Sequence, residues 1–265
     1  MSSDPPTQFD HAVLLVPYHD LRKPPSWVTN NFTLSPGGRH ADGKTENCLI
    51  MFRDGTYLEL IAFINDDPEK RKGHWWDKPF GIVDFALTGG DFNHGHLSEG
   101  LSQAKSKIEY EEPKEGGRMM EKPRRELRWK VTFPKGVKRG TAPFWCNDVT
   151  PRDWRAAATD GNTRHPSGAI GLAGMTVEVP EEEFEDAEKA YGVLTQAARG
   201  HRRFAVGTPF DVGRIPDPEI EVKRKADNSD QEPILTLILQ SPARDGLLDI
   251  EEKVGNGLVR IKFVK

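Results

Sequence analysis

The feature that most limits what this chain can fold into is recurrence: an apolar strand-like run, a helix and further strand-like runs return with a period of roughly 75 to 90 residues. FDHAVLLVP (Phe9 to Pro17) opens the first round, and SWVTNNF reads as a short helix. NCLIMF and TYLELIAF follow, joined by Arg53-Asp54-Gly55, and a D-G turn between apolar runs signals a hairpin. These segments predict a β-α-β-β-β unit over residues 9–65. GIVDFALTG (Gly81 to Gly89), a helical stretch around HLSEGLSQAKSKI, and strands at LRWKVTF and APFWCNDV predict a second unit over residues 81–150. A third starts at AIGLAGMTVEVP and continues into the helix PEEEFEDAEKAYGVLTQ, with Pro180 and acidic residues in its first turn. It ends in strands at RRFAVGT, EPILTLILQ and LLDIEEK, with another D-G turn at Asp245-Gly246. The expected fold is therefore α+β, built of repeated β-α-β-β-β units. Two charged stretches, Glu109 to Glu126 and Glu219 to Glu232, read as solvated loops, with a lid as the alternative for the first.

Composition removes several function classes. The 265 residues carry a net charge of −4 with both signs interspersed, so no basic face suited to nucleic acid stands out. The two cysteines, Cys48 and Cys146, are too few for a disulfide framework and lack C-x-x-C spacing. No basic region followed by an apolar one opens the chain, and no apolar window is long enough to span a bilayer, which predicts no membrane association and a cytoplasmic location. The G-x-S-x-G, Walker and G-x-G-x-x-G motifs are missing, which argues against hydrolase, nucleotide-phosphate and dinucleotide readings.

Strand alternation then singles out two polar residues. Phe9, His11, Val13 and Leu15 are expected on one face of the first strand, and Tyr57, Glu59, Ile61 and Phe63 on one face of a later strand. A carboxylate among large apolar neighbours needs a cation, an arginine, a histidinium or a proton. His11 and Glu59 either pair with each other as satisfied core groups or face a shared concavity, where imidazole and carboxylate suit a divalent metal. His40, after Gly37-Gly38, reads as a residue of a flexible turn able to swing toward that concavity. His165 precedes a proline and is biased to extended backbone, while Asp148 is a further acidic candidate. Trp129 shares a face with Leu127, Val131 and Phe133, and Arg152 and Arg155 are candidates for a bidentate contact with a substrate carboxylate or enolate. His94 and His96 suit a helix start, and His74-Trp75-Trp76 reads as an aromatic linker packed between units.

Four ordered motifs, Asp10-His11, Gly37-Gly38-Arg39-His40, Thr45-x-Asn47 and Gly55-x-Tyr57-Leu58-Glu59-Leu60, resemble the glyoxalase-like branch of the vicinal-oxygen-chelate superfamily. Trp129, Pro143-Phe144, Arg152 and His165-Pro166-x-Gly168-Ala169 extend the resemblance over roughly the first 180 residues. It implies open, curled mixed sheets, a glyoxalase-like domain over residues 1–160 made of the first two units, and a degenerate third unit over residues 161–265. It also implies a divalent metal (Fe, Mn, Ni or Zn) on His11 and Glu59, with Glu59 and His40 catalytic and Trp129, Arg152 and His165 binding substrate. The activity so implied is that of a metal-dependent lyase, isomerase or dioxygenase-type enzyme acting on a small oxygenated metabolite, in an assembly that includes a homodimer among its options. The second unit reads Ile82-Val83-Asp84 and the third offers Gly174 where a partner of His11 would fall, so a metal-free protein that binds or sequesters a small molecule is the alternative.

Overall fold

Each predicted run of alternating or continuous apolar residues becomes a strand, and the strands join edge to edge into one long sheet with two side branches. The computed structural model describes residues 7–89, 92–121, 124–197, 201–213, 216–227, 232–242 and 248–265. The predicted turn at Asp245-Gly246 lies outside them.

The first unit comprises β1 (Gln8–Leu15), the short helices α1 (Tyr18–Arg22) and α2 (Ser26–Thr29), then β2 (Ser35–Arg39), β3 (Thr45–Met51) and β4 (Tyr57–Phe63). β4 runs parallel to β1, and β3 and β2 follow antiparallel on its far side. The β3–β4 hairpin turns where predicted, with Asp54 Oδ1 accepting from the Thr56 backbone N–H at 2.9 Å and from its hydroxyl at 2.7 Å. After α3 (Pro68–Arg71), the second unit repeats the plan with β5 (Gly81–Thr88), α4 (His94–Ala104), a two-residue β6 (Glu109–Tyr110), β7 (Lys114–Glu121), β8 (Arg124–Thr132), a two-residue β9 (Pro134–Lys135) and β10 (Phe144–Asp148). β10 runs parallel to β5, with β8 and then β7 beyond it. Antiparallel pairing of β1 with β5 joins the two units into a curled sheet of eight strands, the α+β architecture of repeated units that the period predicts, in the open, curled form that the resemblance implies.

α5 (Arg152–Arg155) leads into the last part of the chain: β11 (Gly171–Val179), α6 (Glu181–Leu194), β12 (Arg203–Ala205), β13 (Glu219–Arg224), β14 (Ile234–Gln240), β15 (Ile250–Val254) and β16 (Gly257–Val264). β11 runs parallel to β13 and antiparallel to β14, and β14 runs parallel to β16. The apolar face of α6, carrying Phe184, Ala187, Ala190, Tyr191 and Leu194, joins the main core with Met175, Val177, Ile220 and Val222.

Two expectations change. The charged stretch from Glu109 to Glu126 holds strands β7 and β8, and Glu219–Arg224 forms β13. These strands look like loops in sequence because alternate side chains face solvent, and for the outermost strand charge on an open edge also discourages further pairing. Residues 228–231 of the second stretch lie outside the described residues. Gly37 and Gly38 lie within β2, so the expected flexible turn before His40 is a paired strand.

Candidate functional site

An irregularity in β1 sets the chemistry. Phe9 pairs with Leu87 and His11 with Ala86, so Asp10 is an extra residue with no partner on β5, a β-bulge. The bulge breaks the alternation: Phe9 joins Ala12 and Leu14 in the main core, while Val13 and Leu15 pack in a second cluster with Ile61, Phe63 and Phe144. Phe9 therefore leaves the face on which strict alternation placed it beside His11. The bulge also brings Asp10 next to the ring of His11, with Asp10 Oδ2 2.6 Å from His11 Nδ1.

Asp10 is fully buried and sits among guanidinium groups. Arg155 donates to it from Nη1 at 3.1 Å and Nη2 at 3.2 Å, and Arg152 donates from Nη1. Burial alone would raise the Asp10 pKa, but the two arginines and the His11 hydrogen bond outweigh it and hold the carboxyl well below the usual aspartate range. Asp148 completes the cluster, accepting from Arg155 Nε at 2.6 Å and Nη2 at 2.8 Å and from Arg152 Nη1 at 3.3 Å. Arg152 Nη2 also donates to the Gly55 carbonyl at 2.8 Å, and Arg155 Nη1 to the Tyr57 hydroxyl at 2.5 Å. Tyr57 in turn stacks on His11, with ring centroids 4.6 Å apart and planes 7° from parallel. His11 is thereby clamped between a carboxylate and an aromatic face.

Beyond His11 lies a cavity of about 230 Å³. His11, Tyr57 and Glu59 line it from β1 and β4, Asn47 from β3, and His40 from the end of β2. Glu59 Oε2 is 3.5 Å from His11 Nε2, and Glu59 Oε1 is 3.6 Å from His40 Nε2. Asn47 Nδ2 donates to Glu59 Oε1 at 2.6 Å and lies 3.5 Å from His40 Nε2. His40 Nδ1 meets Thr45 Oγ1 at 2.7 Å, and burial holds the His40 pKa below the ordinary histidine value against the pull of Glu59 and Asp42. The opposite wall is apolar: Trp129, Val131, Phe133, Phe144 and Cys146 come from β8, β10 and the segment between them.

The predicted residues thus divide. His11, His40, Glu59 and Trp129 line one cavity. Arg152 is drawn into the Asp10–Asp148 cluster and is not among the lining residues. His165 lies elsewhere as a buried strut: it accepts from the Thr33 backbone N–H at Nδ1, 3.0 Å, its Nε2 faces the Met51 carbonyl at 2.9 Å, and its ring edge packs on Phe32 and Phe52. Composition hid two contributors. Arg118, on the strand read as a loop, faces the cavity, and so do His74, Trp75 and Trp76 of the segment read as linker packing. Trp76 Nε1 donates to Asp84 Oδ2 at 3.2 Å, so a buried acid opposite an indole was the available signal for the latter.

Two groupings compete as a metal centre. Asp10, His11 and Cys146 bring ligand atoms within 4.8 Å of one another. Their chemistry does not fit an ion: the Asp10 oxygens already accept from two guanidiniums, whose positive charge beside the group opposes a cation there. His11 Nε2, His40 Nε2 and the Glu59 carboxylate do fit, because all three present lone pairs toward the cavity.

Residues 9–194 match the family described as Glyoxalase-like domain. No curated protein matches the chain. A hypothetical protein from Staphylococcus aureus shares the fold, with a TM-score of 0.66 at 12% identity over 97% of this chain and 100% of its own. A Mn(II)-bound glyoxalase from Novosphingobium aromaticivorans aligns at 12% identity over 98% of this chain and 83% of its own, with a TM-score of 0.49. A mutant of 4-hydroxymandelate synthase from Streptomyces coelicolor aligns at 10% identity over 89% and 71% respectively, with a TM-score of 0.47. Among the described residues no helix is long and apolar enough to cross a membrane.

Proposed function

The chain belongs to the glyoxalase-like domain family, and on that premise we propose that it is a metal-dependent enzyme acting on a small oxygenated metabolite. In this reading residues 1–160 form the catalytic domain and residues 161–265 support it.

One observation supports the reading most. Both imidazoles are engaged from behind, His11 Nδ1 by Asp10 at 2.6 Å and His40 Nδ1 by Thr45 at 2.7 Å, while both Nε2 atoms face Glu59. A ring whose Nδ1–H is given to an acceptor keeps the Nε2 lone pair free, the arrangement that orients a metal-binding histidine. Three lone-pair donors facing one space require a cation or protons among them. Two imidazoles and a carboxylate suit Fe, Mn, Ni or Zn, and such an ion supplies Lewis acidity toward a carbonyl or enediolate oxygen.

The chain's own groups account for the rest. His11 is fixed by Asp10 and Tyr57 and has no freedom to turn. Glu59 keeps Oε1 on Asn47 and directs Oε2 toward His11, so it serves as ligand or base. With its Nδ1 on Thr45 and its Nε2 toward Glu59, His40 would serve as a ligand, which leaves Glu59 as the group able to take a proton from a carbon beside the carbonyl and return it. Trp129, Phe133 and Phe144 exclude water and hold the apolar part of the substrate. A cavity of about 230 Å³ suits a metabolite smaller than drug-sized ligands. Isomerisation, lyase chemistry and dioxygen-dependent chemistry all fit these groups.

Elemental analysis of protein purified without added metal tests the reading. The expected result is near one equivalent in the wild type, less than about a tenth in His11→Ala and Glu59→Gln, and no change in Glu221→Gln. No enrichment, together with no activation by Fe, Mn, Ni or Zn, overturns it. The apolar wall from the second unit favours the alternative of a metal-free binding protein. A ligand-induced rise in Tm that survives both chelator and His11→Ala supports that alternative.

A further inference from the structure

Arg118 is a buried cation without an anion. It projects from β7 with 6% of its surface exposed and lines both the 230 Å³ cavity and the larger groove outside it. Among the described residues it makes no ion pair, and its guanidinium's one hydrogen bond is the 3.4 Å contact from Nη2 to the Arg155 carbonyl. The contrast with its neighbours is plain, because Arg152 and Arg155 share two carboxylates between them. Burial accordingly lowers the Arg118 pKa, with Arg155 adding to the effect and Tyr57 and Glu59 opposing it. Burying a guanidinium without a counter-charge is costly, so the position asks for an anion from outside.

The surroundings are shaped for one. On the side of the outer groove Gly38 stands beside Arg118 Nη1 without a side chain, and on its other side the guanidinium faces the cavity. The cavity that Arg118 faces has His11, His40 and Glu59 in one part and Trp129, Phe133 and Phe144 in another. A planar fork of donors matches a carboxylate through two parallel hydrogen bonds.

We infer that Arg118 is the anchor for a carboxylate on the substrate, and that the substrate class is small organic acids with an aromatic or otherwise flat apolar body. The inference rests on the cavity being the ligand site proposed above. It differs from the metal reading in where the carboxylate goes: to Arg118, leaving the His11–His40–Glu59 end for the substrate's carbonyl or hydroxyl.

Isothermal titration with benzoate, phenylacetate and 3-phenyllactate, each compared with its neutral amide, tests this in wild type, Arg118→Met and Arg118→Lys. Every titration is run on chelator-stripped protein and again with metal restored. At least one acid is expected to bind wild type about tenfold or more tightly than its amide, in both metal states. Arg118→Met is expected to erase that preference with the amide's affinity unchanged, and Arg118→Lys to restore part of it. Tm in Arg118→Met is expected to stay level or rise, since an unpaired buried charge is removed; a structural arginine would give a fall. Failure of all three acids to bind at millimolar concentration, equal binding of acids and amides, or a preference that survives Arg118→Met overturns the inference. A preference seen only with metal restored also overturns it, while leaving the metal-dependent reading intact. A preference lost in Arg118→Met in protein that binds no metal upholds the anchor and removes the metal reading.

Discussion

The β1–β5 and β11–β14 pairs carry the same irregularity in the same place. Each first strand holds an extra residue, Asp10 between Phe9 and His11, and Ala173 between Leu172 and Gly174. Each also runs parallel to a later strand: His11 opposes Tyr57 and Val13 opposes Glu59, just as Gly174 opposes Glu219 and Thr176 opposes Glu221. The backbone is repeated and the chemistry is not. Ala173 stands for Asp10, Gly174 for His11, and Glu221, the counterpart of Glu59, pairs with Arg203 and Lys223. The bulge is thus a property of the repeated strand pairing, and the site arises where side chains able to use it were placed on one copy.

Making the first copy like the second should break the molecule most severely. Asp10→Ala leaves Arg152 and Arg155 buried with Asp148 as their remaining carboxylate, and it is expected to cost about 3–5 kcal/mol in chemical denaturation. Because the Asp10 pKa is depressed in the folded state, its contribution is fully present above the unfolded aspartate value of about 3.9 and is lost as pH falls through the lower folded value. The gap between wild type and variant should therefore close in acid, and a gap that persists unchanged assigns the loss to packing. Giving the second copy a side chain comes next. A Cβ on Gly174 would lie 2.5 Å from the Glu219 carbonyl oxygen, so Gly174→Ala is expected to destabilise by about 1–3 kcal/mol. An unchanged Tm would show that β11 and β13 separate freely there.

The smallest effect sharpens the comparison one strand over. Asp84 opposes Val13 where Thr236 opposes Thr176 in the other copy. Burial raises the Asp84 pKa against the pull of Arg139, the Trp76 hydrogen bond and Lys78. A raised acid is most stabilising while protonated, so its contribution is present below the unfolded pKa and declines as pH rises toward the folded value. Asp84→Asn should flatten that decline above about pH 4 in stability measured against pH. An identical pH profile for the two proteins would locate the dependence elsewhere.

Much of this was legible in the sequence. The period located the units, apolar alternation located β1 and β4, and the four ordered motifs pointed to the family that residues 9–194 bear out. His11 and Glu59 stood out because polar groups on apolar rows are costly. What stayed hidden depended on contacts distant in sequence. Nothing around Asp10 announces a bulge, because the extra residue is defined only against Leu87 and Ala86 on another strand. Arg152 and Arg155 looked equally suited to a substrate, and their use by Asp10 spans more than 140 residues of chain. Arg118 sat in a stretch whose charge imitates a loop, since a strand with one solvated face carries polar residues at alternate positions.

The clamp on Asp10 also orders events during synthesis. β1 leaves the ribosome well before the arginines of α5, which follow it beyond the last strand of the eight-stranded sheet. Until α5 has emerged and docked, Asp10 has no guanidinium beside it and the ring of His11 has no fixed carboxylate behind it. A chain halted at residue 150 would contain every strand of the first two units yet hold His11 loosely. Competence of the cavity is therefore acquired at a definite length of nascent chain, after the sheet that surrounds it has been made.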